Sequence, residues 1–140
     1  MTIEFFRQSL TAAEQSVVAD GFQAHSDEHG APAYKKSPLK WLLHDERRRL
    51  RAVLTADVLW DWIYVDELWV TPECRDQGLG RQLMVRAEEF ALAEGLHGLW
   101  LWTQSWQAEG FYQRLGYEEF ARFDNFPAGY ARIGFRKALR

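Results

Sequence analysis

The stretch Val70-Thr71-Pro72-Glu73-Cys74-Arg75-Asp76-Gln77-Gly78-Leu79-Gly80-Arg81 decides the fold. Before it runs Trp62–Thr71, rich in β-branched and aromatic residues, which reads as a strand ended by Pro72. After it, Leu79, Leu83, Ala87, Phe90 and Ala91 recur at helical spacing. They predict a helix over Gly78–Glu94 that Gly95 stops. A strand that passes through a glycine turn into a helix is an α/β unit. The first amides of such a helix lack intrahelical acceptors, and the helix dipole adds positive potential, so the turn suits an anion. Gly78 and Gly80 let a phosphate approach the backbone, and Arg75 and Arg81 add positive charge. The pattern is not G-x-G-x-x-G, and no Gly-Lys-Ser/Thr follows. The dinucleotide fingerprint and the P-loop are therefore both excluded. A tight strand–helix turn without a ligand is the plainer alternative.

Working outward toward the C-terminus, Leu99–Thr103 reads as a strand. Ser105 can cap a third helix that carries Ala108, Phe111, Tyr112 and Leu115 on one face and stops at Gly116. Tyr117–Asp124 and Tyr130–Leu139 read as two last strands joined by Phe126-Pro127-Ala128-Gly129. Toward the N-terminus, Leu39–His44 and Leu50–Trp60 flank the charged turn Asp45–Arg49 and predict a hairpin. The stretch Gly30–Pro38, with two prolines and two lysines, reads as a loop. Thr11-Ala12-Ala13-Glu14 is a capping box opening a helix that ends at Gly30 and Pro32. Ile3–Gln8 reads as a short edge strand. The order β-α-β-β-β-α-β-α-β-β predicts an α/β domain: a mixed central sheet with helices on both faces.

The chain has 140 residues, which suits one domain over residues 1–140. It is 47% hydrophobic and 26% charged, a globular composition. Lys and Arg number 17 against 20 Asp and Glu, a formal charge of −3. That balance argues against nucleic acid and anionic membrane as partners, which need a basic excess. Cys74 is the one cysteine, so no internal disulfide forms. Met1–Leu10 carries Glu4, Arg7 and Gln8 and has no signal-like apolar core. Apolar runs are far shorter than a membrane span. A cytoplasmic location follows as the expectation.

A second segment carries chemistry: Ser105-Trp106-Gln107-Ala108-Glu109-Gly110-Phe111-Tyr112-Gln113-Arg114-Leu115-Gly116-Tyr117. With Arg75-Asp76-Gln77-Gly78-Leu79-Gly80 it resembles the GNAT family of N-acetyltransferases. The first stretch matches that family's acyl-CoA signature R/Q-x-x-G-x-G/A. Ala108 through Tyr117 matches its A-x-x-F/L-Y-x-x-x-G-F/Y segment. The resemblance is strong from Trp62 to Tyr117. It continues more weakly through Phe126-Pro127-Ala128-Gly129 to Lys137, in the manner of small bacterial members. It implies the GNAT acyl-CoA N-acyltransferase fold and transfer of acetyl from acetyl-CoA to a primary amine by direct attack in a ternary complex.

The resemblance also implies roles by position. The amides of Gln77, Gly78, Leu79, Gly80 and Arg81, with Arg75 beside them, hold the CoA pyrophosphate. The strand end at Leu68 and Val70 pairs with the pantetheine arm, and the Val70 amide is the oxyanion donor. Tyr112 occupies the general-acid position and protonates the departing thiolate. Ser105 stands where many members have Asn, and it can reach pantetheine with fewer hydrogen bonds.

An alkylammonium with a pKa near ~10.4 must lose a proton before it attacks a thioester. Asp66 and Glu67 lie on the central strand just before the CoA stretch. Strand alternation sends them to opposite faces, so at most one meets the acceptor. Glu67 is the favoured base and Asp66 the alternative; a solvated charge and a salt-bridge partner are the plain readings of the pair.

Other features carry less. His25-Ser26-Asp27-Glu28-His29 has the H-x-x-E-H spacing of inverted zinc proteases. Gly30 and Pro32 end the helix there and no third ligand follows, so no metal is expected. That region, with Tyr34, Lys35 and Lys36, reads instead as a solvated helix end or a wall of the acceptor pocket. Cys74 reads as structural. Arg47, Arg48, Arg49 and Arg51 read as a solvated hairpin tip. The pairs Trp60/Trp62 and Trp100/Trp102 read as sheet-face packing, with the lining of a cavity or a homodimer surface as further uses. The acceptor itself, a small-molecule or peptide amine, cannot be read. The rival function is a non-catalytic acyl-CoA-binding or regulatory module; a zinc hydrolase is the remaining alternative.

Overall fold

The computed structural model describes residues 1–140, apart from the side chain of residue 109. The chain forms two compact units, Met1–Tyr34 and Lys35–Arg140. The first contains the helix α1 (Ala12–Glu28). The capping box forms there: the Glu14 amide donates to Thr11 Oγ1 at 3.2 Å, and the Thr11 amide donates to Glu14 Oε1 at 2.8 Å. The expected strand over Ile3–Gln8 does not form. A strand needs a hydrogen-bonded neighbour, and residues 1–34 hold no other strand.

The second unit is a six-stranded mixed sheet: β1 (Lys36–His44), β2 (Leu50–Leu59), β3 (Trp62–Val70), β4 (Gly98–Gln104), β5 (Glu118–Asp124) and β6 (Ala131–Ala138). The strand order is β1-β2-β3-β4-β6-β5. Strands β1 to β3 form an antiparallel meander, whereas β3 and β4 are parallel and need a crossover. The helix α2 (Leu79–Ala93) supplies it. β1 begins at Lys36, earlier than expected, with Lys36 opposite Leu59. Pro38 is tolerated inside it because β1 is an edge strand.

The core lies on one face of the sheet. Leu54, Ile63, Leu99, Leu101, Ile133 and Phe135 project from the strands, and Leu83, Met84, Ala87 and Ala91 from α2. Each large side chain buried here contributes roughly 1.5–3 kcal/mol of transfer free energy. The short helix α3 (Glu109–Arg114) and the residues after it bring Tyr112 and Tyr117 into the same core. Among the described residues no helix is long and apolar enough to cross a membrane.

Candidate active site

β3 and β4 pair from Trp62↔Gly98 to Val65↔Leu101 and no further. Beyond that point the strands diverge, and a cleft of about 910 Å³ opens between Leu68–Val70 and Trp102–Thr103. The backbone of β3 explains what faces it. The Thr71 amide donates to the Arg51 carbonyl of β2 at 2.8 Å. Alternation along a strand then turns the Val70 and Leu68 amides the other way, into the gap. The Val70 carbonyl confirms that direction, because it accepts from Arg75 Nε at 3.1 Å across the turn.

The turn before α2 forms the end of the cleft. Asp76 (φ 60°) and Gly78 (φ 76°) both lie in the left-handed region, and Gly78 is the N-cap. The first helical bond runs from the Gln82 amide to the Gly78 carbonyl. Among the described residues, the amides of residues 76–81 donate to no protein acceptor. Such a run of unbonded amides at a helix start is an anion-binding nest. A Cβ on Gly80 would stand 3.4 Å from Phe111 Cζ, so α3 packs against this turn with room for little beyond a methyl group.

Asp66 and Glu67 correct the sequence expectation. The β2–β3 register steps from Thr55↔Glu67 to Ala56↔Val65, which leaves Asp66 as an extra residue in a β-bulge. The bulge resets alternation: Val65 and Leu68 both pack on the core, and the two carboxylates both leave it. They are therefore not on opposite faces. Both line the cleft, and both line an adjoining hollow of about 370 Å³ with Asp57, Thr55 and Lys40. Glu67 Oε1 accepts from Thr55 Oγ1 at 3.0 Å. The Tyr64 phenol, raised first by burial, is raised further by the Asp66 carboxylate and by Asp57, with Arg132 opposing. Asp57, Tyr64 and Asp66 thus share one field.

Tyr112 lines the cleft from α3. Its ring packs among Phe111, Tyr117 and Phe135 and is 7% exposed. Burial pushes its phenol up to about 12. Among the described residues, nothing hydrogen-bonds its hydroxyl, so a protonated donor stands available to the opening.

Leu68, Val70, Arg75, Leu79 and Gly80 also line the cleft, while Gln77, Gly78 and Arg81 contribute main chain to the turn at its end. Ser105 is placed differently. Its Oγ accepts from the Ala131 amide at 2.9 Å, and its own amide donates to the Ala131 carbonyl. It does not cap α3; Ala108 is the N-cap, with no side-chain bond. Trp102, one of the tryptophans offered as cavity lining, is a cleft wall, and sequence reasoning missed Thr103, Trp106 and Gln107 beside it. Gln107 Oε1 accepts from Thr103 Oγ1 at 3.1 Å and from the Gln104 amide at 2.9 Å, which finishes the free end of β4. Only the splay of β3 from β4 exposes these residues, and no local pattern encodes it.

The His25 and His29 rings meet at a 50° tilt with centroids 4.4 Å apart, and His29 Nδ1 lies 2.9 Å from the His25 carbonyl. Among the described residues, no three His, Cys, Asp or Glu side chains come together as a metal site.

The Acetyltransferase (GNAT) family model matches residues 4–117. The chain belongs to the GNAT family. Among curated GNAT relatives, a blasticidin-S acetyltransferase from Streptomyces morookaense is 44% identical over 85 residues, covering 60% of this chain and 62% of the relative. The chain thus spans less than two thirds of that protein's length. An acetyltransferase structure from Bacillus cereus ATCC 14579 superposes with a TM-score of 0.82 at 22% identity, over 96% of this chain and 98% of that one. A Bacillus anthracis structure in complex with acetyl coenzyme A gives a TM-score of 0.64 at 19% identity, over 75% of this chain and 64% of that one. At these identities the structural likenesses show the GNAT fold.

Proposed function

We propose that this protein transfers acetyl from acetyl-CoA to a primary amine of a small molecule or peptide, by direct attack with both substrates bound. One observation carries the reading. Unpaired β3 backbone, a turn of free amides, two carboxylates and an unbonded buried phenol converge on one cleft. The family match and the blasticidin-S acetyltransferase likeness support it. Residues 1–140 form one GNAT domain in this reading, because the match crosses from the first compact unit into the second.

The residues present fit acetyl-CoA. The free amides of Gln77 to Arg81 suit a pyrophosphate, and Leu68 and Val70 offer amides to a pantetheine arm. Acetyl-CoA supplies an activated thioester acyl group. The Val70 amide stabilises charge on the acyl oxygen, and Arg75 holds the next peptide, Val70–Thr71, through the Val70 carbonyl. Tyr112 enters as a donor and not a base, because burial holds it protonated. It gives its proton to the departing sulfur. The Ser105 hydroxyl still has its proton to donate, since the Ala131 amide uses only its lone pair, and pantetheine is the partner this reading gives it although Ser105 does not line the cleft.

The acceptor comes from the side of the carboxylates. Glu67 takes the ammonium proton, held in place by Thr55, with Asp66 as the alternative base. Asp57, Asp66 and Glu67 around one hollow favour an acceptor that arrives as a cation. A homodimer through the exposed Phe120, Phe123 and Phe126, and a cytoplasmic location for a chain with the single cysteine Cys74, complete the reading.

The test is thiol release from acetyl-CoA with blasticidin S, spermidine and a lysine peptide as acceptors, with mass spectrometry of the product. An acetylated amine supports transfer. Binding of acetyl-CoA without release to any of a broad amine panel would favour a non-catalytic acyl-CoA-binding module.

A further inference from the structure

Away from the cleft, a polar network joins three elements around Lys137 of β6. Its Nζ lies 2.7 Å from Glu88 Oε1 on α2 and donates to the Leu115 carbonyl, the C-cap of α3, at 2.8 Å. The Tyr117 hydroxyl donates to the same Glu88 oxygen at 3.3 Å, and Lys137 Nζ also stands 5.6 Å from the Tyr117 ring centroid. The Glu88 side chain is only 13% exposed and that of Lys137 29%, so this pair is drier than the Arg122–Glu119 pair of β5, at 44% and 42%. Gly116 (φ 88°) turns the chain so that Leu115 faces Lys137; a Cβ there would stand 3.6 Å from Lys137 Cε.

The network ends on Tyr112. The Tyr117 amide donates to the Tyr112 carbonyl at 3.0 Å, and the two rings pack edge to face at 6.0 Å. α3 has only six residues and no side-chain cap at its start, so it cannot hold its own position. Its C-terminal carbonyl is tied to β6, and through Glu88 to the helix whose first turn carries the free amides. We infer that Lys137 and Glu88 are positioning residues for Tyr112: they lock α3 to α2 and so fix the phenol relative to the amide turn. The inference rests on the reading of Tyr112 as the proton donor.

Two readouts test it. The first needs no acceptor. The chain has five tyrosines. With ¹³Cζ-labelled tyrosine, Tyr112→Phe assigns the Tyr112 signal. Lys137→Met and Glu88→Gln should each shift or broaden that signal and leave Tyr64 unchanged, while Lys137→Arg should restore it. An unchanged Tyr112 signal, or equal disturbance of all five, overturns the inference. The isosteric Glu88→Gln keeps this test available if Lys137→Met fails to fold. The second readout is kinetic, with acetyl-CoA and blasticidin S. Lys137→Met should lower kcat about 10- to 100-fold, as small misplacements of a reacting group do, with the KM for acetyl-CoA within about twofold. In the Tyr112→Phe background the same change should cost less than about twofold, because the group it positions is gone. Full additivity overturns the coupling. A Tyr112→Phe protein with wild-type kcat overturns the donor reading instead, and the tyrosine signals still decide whether the network holds the ring.

Discussion

Val65 and Leu101 are the last residues at which β3 and β4 pair, and the cleft between the two strands opens just beyond them. Before it, the sheet is continuous and its core face is dry. After it, the β3 backbone has one bare edge, and α2 and α3 close the two sides of the gap.

The turn at Gly78 and Gly80 should separate two effects. Gly78 has open space around it but φ of 76°, so Gly78→Ala strains the backbone by about 1–2 kcal/mol and distorts the free amides. Gly80→Leu presses on Phe111 and fills the cleft mouth. We expect Gly80→Leu to weaken acetyl-CoA at least about tenfold, near 1.4 kcal/mol, and Gly78→Ala to weaken it less. Calorimetric titration of both variants checks the order.

Tyr112→Phe should lower kcat by about a hundredfold or more, in the range usual for a general acid. Acetyl-CoA affinity should hold within about twofold, since the hydroxyl carries no bond that the fold needs. Steady-state thiol release and calorimetry measure the two quantities. Equal turnover in the variant removes the phenol from the reaction.

Because the bulge at Asp66 sends both carboxylates to the cleft side, single variants discriminate them. Glu67→Gln should abolish most turnover and leave acetyl-CoA binding intact. Asp66→Asn should mainly raise the KM for a cationic amine. The reverse pattern would make Asp66 the base. A variant at Thr55, Thr55→Val, should mimic Glu67→Gln more weakly, because it releases the carboxylate without removing it.

Alkali should unfold the protein in a way set by two phenols. Tyr112 sits at about 12 in the folded state, raised by burial, against about 10 unfolded. The folded state therefore keeps a proton that the unfolded state loses between these values. The stability that Tyr112 contributes is complete below about pH 10 and falls as pH rises toward 12, by roughly 2–3 kcal/mol in all. Tyr117 is raised too, by burial first and then by Glu88, and adds to the same loss. Circular dichroism against pH should show the alkaline limb flattened in Tyr112→Phe. An unchanged limb would mean the phenol is more solvated than its 7% exposure implies.

Much of this was legible in the sequence where local chemistry acts alone. The Thr11–Glu14 capping box, the β1–β2 hairpin around Asp45, the glycine turn into α2 and the segment around Tyr112 each announce themselves within a dozen residues. What was illegible depends on partners far along the chain. Ile3–Gln8 has strand composition but no strand to pair with. Ser105 has cap chemistry, but the Ala131 amide, distant in sequence, claims its oxygen. Asp66 and Glu67 look opposed until the register against β2 leaves Asp66 as the extra residue of a bulge between Val65 and Glu67. Trp102 and Trp106 become cleft walls only because β4 leaves β3 at Leu101.

The splayed cleft and its amide turn should hold acetyl-CoA. The most direct measurement is a thermal-shift titration with acetyl-CoA and CoA, with NADH as the control. A ligand at a hundred times its Kd adds about 2.7 kcal/mol to the folded state, which raises Tm by several degrees. Saturable shifts are expected with both CoA species, none with NADH, and a much reduced shift in Gly80→Leu. No shift with either CoA species, or an equal shift in Gly80→Leu, would contradict acetyl-CoA binding in the cleft.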